Sequence, residues 1–227
     1  PEDEPDIPTV GDLSENNSNG GCDTAAELIE AWPLNDKVST GSFEATEENG
    51  VWSVTLDASA GGLQGSSQNP FLYVDLDGGA KLDITDPTAV RDDTTWEIAF
   101  RRTGAFINGG DAGPGAVEIA RVTGTSFDAV TAANMPGNSR FITEVSVDED
   151  CQVIAPSSGF GTVRTVFEQL NPDTTSGSWY NYGVGGGGVS VPADHVYVLR
   201  GTDMQKTYKF SFVTWTSGVY EIRWAEL

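Results

Sequence analysis

The feature that most constrains the fold is a set of short runs in which apolar and polar residues alternate, separated by turn-forming residues. Successive side chains of a β-strand point to opposite faces, so a period of two predicts strands with one buried face. The 27 glycines exceed the average share of about 7%, which fits many tight turns that need positive φ. The predicted strands cover residues 51–56, 71–76, 80–84, 96–100, 117–122, 141–147, 195–200, 207–215 and 219–224.

The order of these runs predicts antiparallel pairing. An Asp-Gly-Gly sequence at 77–79 separates the runs 71–76 and 80–84, which predicts a hairpin with an Asp-Gly turn. The last three runs are joined by turn residues at 201–203 and 217–218, which predicts a meander. The predicted fold class is therefore all-β, an antiparallel multi-stranded sheet or sandwich with one or two short helices.

The N-terminal part has a different composition. Residues 1–21 contain six acidic residues, three prolines and no basic residue, which predicts a flexible acidic tether. One clear helix is predicted next, capped by Asp23 or Thr24 and ended by Pro33. We expect residues 22–227 to form a single β domain. A spacer before a domain suggests tethering, for example to a membrane lipid. No run in this sequence reaches the ~18 consecutive apolar residues that a membrane-spanning helix needs.

The net charge limits the partners of the chain. Thirty-four acidic and twelve basic residues give a formal charge of −22 and a pI near 4.1. Such a charge repels nucleic acid and anionic membrane surfaces, so we expect no nucleic-acid partner. The acidity indicates either solubility in salty surroundings, where it is screened, or a surface for cations or a cationic partner.

The chain contains two cysteines, Cys22 and Cys151. Such a pair indicates one disulfide in an exported protein and two unrelated thiols in a cytosolic one. We predict the disulfide. It would close a loop of roughly 130 residues, worth about 4–5 kcal/mol on the chain-entropy model.

Few residues suit catalysis or metal binding. His195 is the one histidine, and no Gly-x-Ser-x-Gly elbow accompanies it, so we interpret it as an edge-strand or turn residue. Asp75 and Asp77 faintly resemble a calcium loop, but the predicted hairpin turn explains the same residues. The glycines at 183–188 lie between two strand patterns, which is the wrong setting for a nucleotide-binding loop. We expect a binding protein and not an enzyme.

The aromatic sequence Trp179-Tyr180-Asn181-Tyr182 leads directly into the glycine-rich run 183–188. Aromatic side chains beside such a loop can line a site for a flat or sugar-like ligand. The alternative is that they are ordinary sheet-packing residues. Both interpretations stay open at the level of sequence.

Three segments together resemble the HmuY-like family of haem-binding lipoproteins. They are the Trp-acid-hydrophobic-Ala strand at 93–102 with the Asn and glycine-rich turn at 108–117, the aromatic segment 179–182, and the strands around 196–203 and 208–212. Their order and approximate spacing match from about residue 70 to the end. The resemblance implies a hand-shaped all-β fold at the outer surface of a Gram-negative-type cell. It further implies capture of haem and its transfer to an outer-membrane transporter.

The resemblance also implies two ligand-bearing loops, here 150–178 and 183–188. Family members hold haem iron by histidine or methionine side chains on these loops, and this chain has neither residue type in them. Since a phenolate can ligate haem iron, Tyr180 or Tyr182 is the candidate ferric ligand. Met135, in a turn before Pro136, is a further candidate ligand contact, although it matches no family ligand position. The competing expectation is a non-haem module that binds a protein or glycan, with no cofactor.

Overall fold

The computed structural model describes residues 40–62, 71–85, 90, 92–146, 148, 150, 152, 154–155, 164–183 and 188–227. The predicted tether, the predicted helix after Asp23, and both Cys22 and Cys151 lie outside the described residues.

In the described part of the chain, twelve strands and one short α-helix are present. The strands are β1 (Phe43–Glu48), β2 (Val51–Asp57), β3 (Leu72–Asp75), β4 (Ala80–Lys81), β5 (Ile98–Arg101), β6 (Gly104–Ile107), β7 (Glu118–Thr123), β8 (Asn181–Tyr182), β9 (Val189–Ser190), β10 (His195–Arg200), β11 (Thr207–Thr216) and β12 (Val219–Glu226). The helix, α1, spans Val166–Leu170, and 3-10 turns occupy Gly110–Ala112, Phe127–Ala129 and Asn138–Arg140.

The larger sheet has the strand order β1-β2-β12-β11-β10-β7, and every neighbouring pair is antiparallel. Its centre is the predicted C-terminal meander, β10 to β12. In this sheet Trp224 lies opposite Trp52, and their rings stack with centroids 5.8 Å apart. Aromatic cross-strand pairs of this kind add to the stability of a sheet.

The smaller sheet has the order β4-β3-β5-β6 and packs against the larger one. Phe100 of β5 meets Tyr220 of β12 with ring centroids 5.0 Å apart. Ile98 and Phe210, from the two sheets, belong to the same fully buried cluster. The predicted all-β class is thereby confirmed, as is the hairpin between β3 and β4.

A second apolar cluster covers the other face of the larger sheet. Phe127, Val130 and Phe141 pack there against residues that include Val196 and Val198 of β10. These two valines alternate with Tyr197 and Leu199, which face the inter-sheet core. The segment between the 3-10 turns therefore lies on the outer side of the sheet.

The predicted strand at 141–147 was wrong. Ile142 makes one isolated bridge to Ile119, and none of the described residues 141–146 belongs to a strand. The polar side chains instead bond to other parts of the chain. The Thr143 hydroxyl donates to the Val117 carbonyl, and the Glu144 carboxylate points into the interior.

Candidate functional site

Trp179 is a core residue. Its side chain is fully buried, and its ring stacks on Phe212 with centroids 4.3 Å apart and planes 19° apart. Its indole N–H donates to the Thr103 carbonyl at 2.8 Å, across the gap to the smaller sheet. Of the two interpretations of the aromatic segment, packing applies to this residue. Trp179 anchors the start of β8.

Tyr180 is also buried, with 3% of its surface exposed, and its ring lies 4.7 Å from that of Trp179. Burial is the main cause that raises the pKa of its phenol, and nearby Glu168 adds to the effect. A ferric ligand must be a phenolate, and this environment disfavours the phenolate. The geometry therefore favours a supporting role for Tyr180 over iron ligation.

Tyr182, in contrast, is 43% exposed. It ends β8 and pairs with Val189 of β9, and the Gly183 N–H donates to the Gly188 carbonyl at 2.9 Å. These contacts form a two-stranded ribbon that holds both ends of the predicted loop 183–188, of which residues 184–187 lie outside the described part. The Tyr182 side chain is thus accessible at the base of that loop.

Thr175 ties this ribbon to the end of the other predicted loop. The Tyr182 N–H donates to the Thr175 hydroxyl oxygen at 2.7 Å, and that hydroxyl donates to the Tyr182 carbonyl at 3.0 Å. The Thr175 N–H donates to the Asn181 side-chain oxygen at 2.9 Å. The end of loop 150–178 and the two residues directly before loop 183–188 therefore share one hydrogen-bonded base.

A buried carboxyl group holds the helix that precedes this base. Glu144 is 0% exposed, and its two oxygens accept the N–H groups of Ile107 at 3.1 Å and Val166 at 2.6 Å. Burial raises the pKa of Glu144 to about 8, against the lowering effect of those two hydrogen bonds. The group connects β6 of the smaller sheet to the first residue of α1. Glu144 occupies a polar position of the predicted strand at 141–147, and nothing in the sequence singles it out.

Asn171 fixes the turn after α1. Its side-chain N–H donates to the Phe167 carbonyl at 2.6 Å, and its oxygen accepts the Tyr197 hydroxyl at 3.0 Å and Arg121 Nη1 at 2.9 Å. Phe167 in turn packs edge-on against Tyr197, with centroids 5.1 Å apart. The segment from α1 to β8 is thus fastened to the larger sheet at its start and to the ribbon at its end.

Met135 lies elsewhere. It is 38% exposed and belongs to the segment between the 3-10 turns at 127–129 and 138–140. The residues that flank it, Phe127 and Phe141, pack on the outer face of the larger sheet, whereas Tyr180 packs in the inter-sheet core. The structure therefore does not group Met135 with the candidate tyrosines.

His195 begins β10, directly after a turn, but β10 is an interior strand and not an edge. Its Nε2 lies 4.0 Å from Asp173 Oδ2. Burial is the main cause that lowers the pKa of His195, followed by the positive charge of Arg121.

The aspartates of the faint calcium pattern serve the β3–β4 turn. Asp75 Oδ1 accepts the Gly78 N–H at 2.8 Å, and Asp77 pairs with Lys206. Within the described ranges, no group of three or more His, Cys, Asp or Glu side chains is arranged to hold a metal ion. Nor does any helix among these residues have the length and apolarity to cross a membrane.

Comparison with protein families finds a match to the model described as "HmuY: HmuY protein", over residues 67–224. This range covers more than half of the 227-residue chain and includes both predicted loops and the three segments that suggested the resemblance. The chain belongs to the HmuY family. Membership confirms the predicted resemblance and agrees with the two-sheet architecture. A search of curated proteins gave no match.

Proposed function

We propose that this HmuY-family protein is a surface-tethered or periplasm-facing binding lipoprotein, without enzymatic activity, that captures haem or a related porphyrin for an outer-membrane uptake system. The observation that carries the proposal is the shared base made by Thr175, Asn181 and Tyr182. It joins the end of one loop that the family resemblance implies, 150–178, to the residues directly before the other, 183–188. Haem is the cargo in this proposal and not a resident cofactor.

The exposed Tyr182 is the residue best suited to contact such a cargo. A flat aromatic ligand gains from aromatic side chains and from loops held on a rigid scaffold. Tyr182 offers both a ring face and a phenol oxygen, and its backbone is held by Thr175 and Val189. A tyrosine phenolate is an established type of haem iron ligand.

A second candidate function is a non-haem module of the same fold that binds a protein or glycan. It is favoured by one observation, the absence of histidine and methionine from loops 150–178 and 183–188. Without those side chains the paired axial ligation implied by the resemblance is not available. An accessible tyrosine on a rigid ribbon also suits stacking against a sugar ring.

An absorbance titration separates the two candidates. Ferric haem is added to the purified protein and the Soret band is followed in the ferric and ferrous states. The proposal predicts a saturable change, and Tyr182→Phe should alter the ferric spectrum and weaken binding about tenfold or more, because the oxygen ligand is lost. Tyr180→Phe is the matched control and should leave the spectrum unchanged.

Each outcome has a separate meaning. If the Soret band shows no saturable change in either redox state, haem capture is wrong and the protein or glycan function takes its place. If haem binds and the Tyr182→Phe spectrum equals that of the wild type, haem capture stands and the assignment of Tyr182 as ligand is wrong.

A further inference from the structure

A depression of about 270 Å³ lies beside the outermost strand of the larger sheet. Its lining combines two arginines with a hydroxyl, an amide and two apolar side chains, namely Arg121, Arg140, Thr123, Gln169, Leu170 and Pro172. It shares no lining residue with the β8–β9 ribbon. Its volume is slightly below the ~300 Å³ of the smallest ordinary ligand pockets, so it suits a small molecule.

Both arginines have hydrogen-bond donors to spare. Arg140 is exposed, and its guanidinium has no acceptor among the residues that the structure describes. Arg121 uses Nη1 for two bonds, to Asn171 Oδ1 at 2.9 Å and Asp173 Oδ1 at 2.5 Å. Its Nε and Nη2 have no acceptor in the same set of residues. A guanidinium carries five N–H donors and matches carboxylate and phosphate oxygens in pairs.

Gln169 adds an unsatisfied polar group to the lining. Its side-chain nitrogen is shielded from solvent and has no hydrogen-bond partner among the described residues. A buried donor left without an acceptor costs about 1–3 kcal/mol, so such groups are rare in native proteins. Because this nitrogen is shielded from water, a ligand oxygen bonds to it only when the Gln169 side chain turns toward the depression.

The edge of β7 supplies further donors. Ile119 exchanges both backbone hydrogen bonds with Ile142, at 2.8 and 2.9 Å, on the side of β7 that faces away from β10. The alternation of a strand turns the backbone groups of Arg121 and Thr123 to that same side. Within the described ranges the bridge to Ile142 is not continued along this edge. The backbone N–H groups of these two residues have no acceptor among the described residues, and both residues line the depression.

We propose that this depression is a binding site for a small oxyanion, a carboxylate or a phosphate carried by a small molecule. The net charge of −22 does not oppose it, because charges farther away than the Debye length of about 8 Å are largely screened at physiological ionic strength. The lining contains two arginines and no carboxylate, and Asp173, which bonds to Arg121, is already paired. Leu170 and Pro172 provide apolar surface for the carbon part of the ligand. The site goes beyond haem capture and does not depend on it.

Nuclear magnetic resonance on the ¹⁵N-labelled chain tests the proposal. Malonate and inorganic phosphate are the probes, each titrated with sodium chloride adjusted to keep the ionic strength constant. We expect at least one probe to shift the side-chain signals of Arg140 and Gln169 saturably. Arg140→Gln should weaken that binding about tenfold or more, because it removes the fork of donors. Lys206→Gln is the matched control, since it removes one positive charge that lies between β10 and β11 and pairs with Asp77, and should leave the affinity unchanged.

The two probes distinguish the sources of the oxyanion. Saturation by malonate alone assigns the site to carboxylates, saturation by phosphate alone assigns it to phosphate, and saturation by both supports a general oxyanion site. Shifts that stay linear in both titrations would overturn the proposal. So would an affinity that Arg140→Gln and Lys206→Gln reduce equally, because the effect would then be one of net charge.

Discussion

Glu144→Gln should change the way in which stability depends on pH. The folded state raises the pKa of Glu144 from 4.5 to about 8, mainly by burial, with contributions from Asp111 and Glu168. A raised pKa means that the folded state binds the proton more tightly, so the stabilisation is complete below about pH 4.5 and is lost as the pH rises toward 8. Between pH 5 and pH 8 this loss amounts to about 3–4 kcal/mol for the wild type.

Glutamine cannot ionise, so the variant lacks this loss. It does lose one backbone hydrogen bond, because its NH₂ group faces a backbone N–H where a carboxyl oxygen accepted one. We expect the variant to be less stable than the wild type by about 1–3 kcal/mol near pH 5. Near pH 8 the difference should vanish or reverse, because only the wild type has to ionise a buried group.

Urea denaturation followed by tryptophan fluorescence at pH 5 and pH 8 measures this directly. Glu221→Gln is the matched control: the same chemical change at an exposed position of β12 should give a difference that is independent of pH. A Glu144→Gln difference that is equal at the two pH values, within about 0.5 kcal/mol, would refute the buried-ionisation argument.

Two further substitutions test the packing. Asn108→Ala should lower the free energy of unfolding by about 2–4 kcal/mol. The Asn108 amide is fully buried, its NH₂ group donates to two carbonyls, and its oxygen accepts the Gly115 N–H. Urea denaturation measures the change, and a loss below about 0.5 kcal/mol would contradict the role of these hydrogen bonds. Gly79→Ala should lower the free energy of unfolding more than Gly50→Ala. Both glycines have positive φ, so the backbone strain is similar. A Cβ at residue 79 would lie 2.4 Å from the Trp52 ring, whereas a Cβ at residue 50 meets open space. Equal losses would mean that the Trp52 contact is absent.

The strands with a regular period of two were predictable. The run 195–200 coincides with β10, which lies inside the larger sheet and is buried on both faces. The run 51–56 differs from β2 by one residue, and in β2 buried positions alternate with more exposed ones. β1 was missed, since it is an edge strand in which most residues are exposed and three of the six are glutamates. The helix α1 was missed because five residues are too few to show a helical period.

The candidate site was predictable only in its location. The aromatic segment indicated where a ligand could bind, but the opposite environments of Tyr180 and Tyr182 depend on tertiary packing. The hydrogen bonds of Thr175 to β8 lie in an irregular turn. The buried Glu144 carboxyl bonds to the Val166 N–H, which is distant in sequence. No local pattern specifies such contacts, because they depend on how the two sheets come together.

We propose that haem or a porphyrin is captured on the base formed by Thr175, Asn181 and Tyr182. Gallium protoporphyrin, a diamagnetic analogue of ferric haem, can be titrated into the ¹⁵N-labelled chain while the backbone amide signals are followed. The claim predicts saturable shifts centred on these three residues and on β9. Shifts centred on Arg121 and the outer face of the larger sheet, or the absence of saturable shifts, would contradict it.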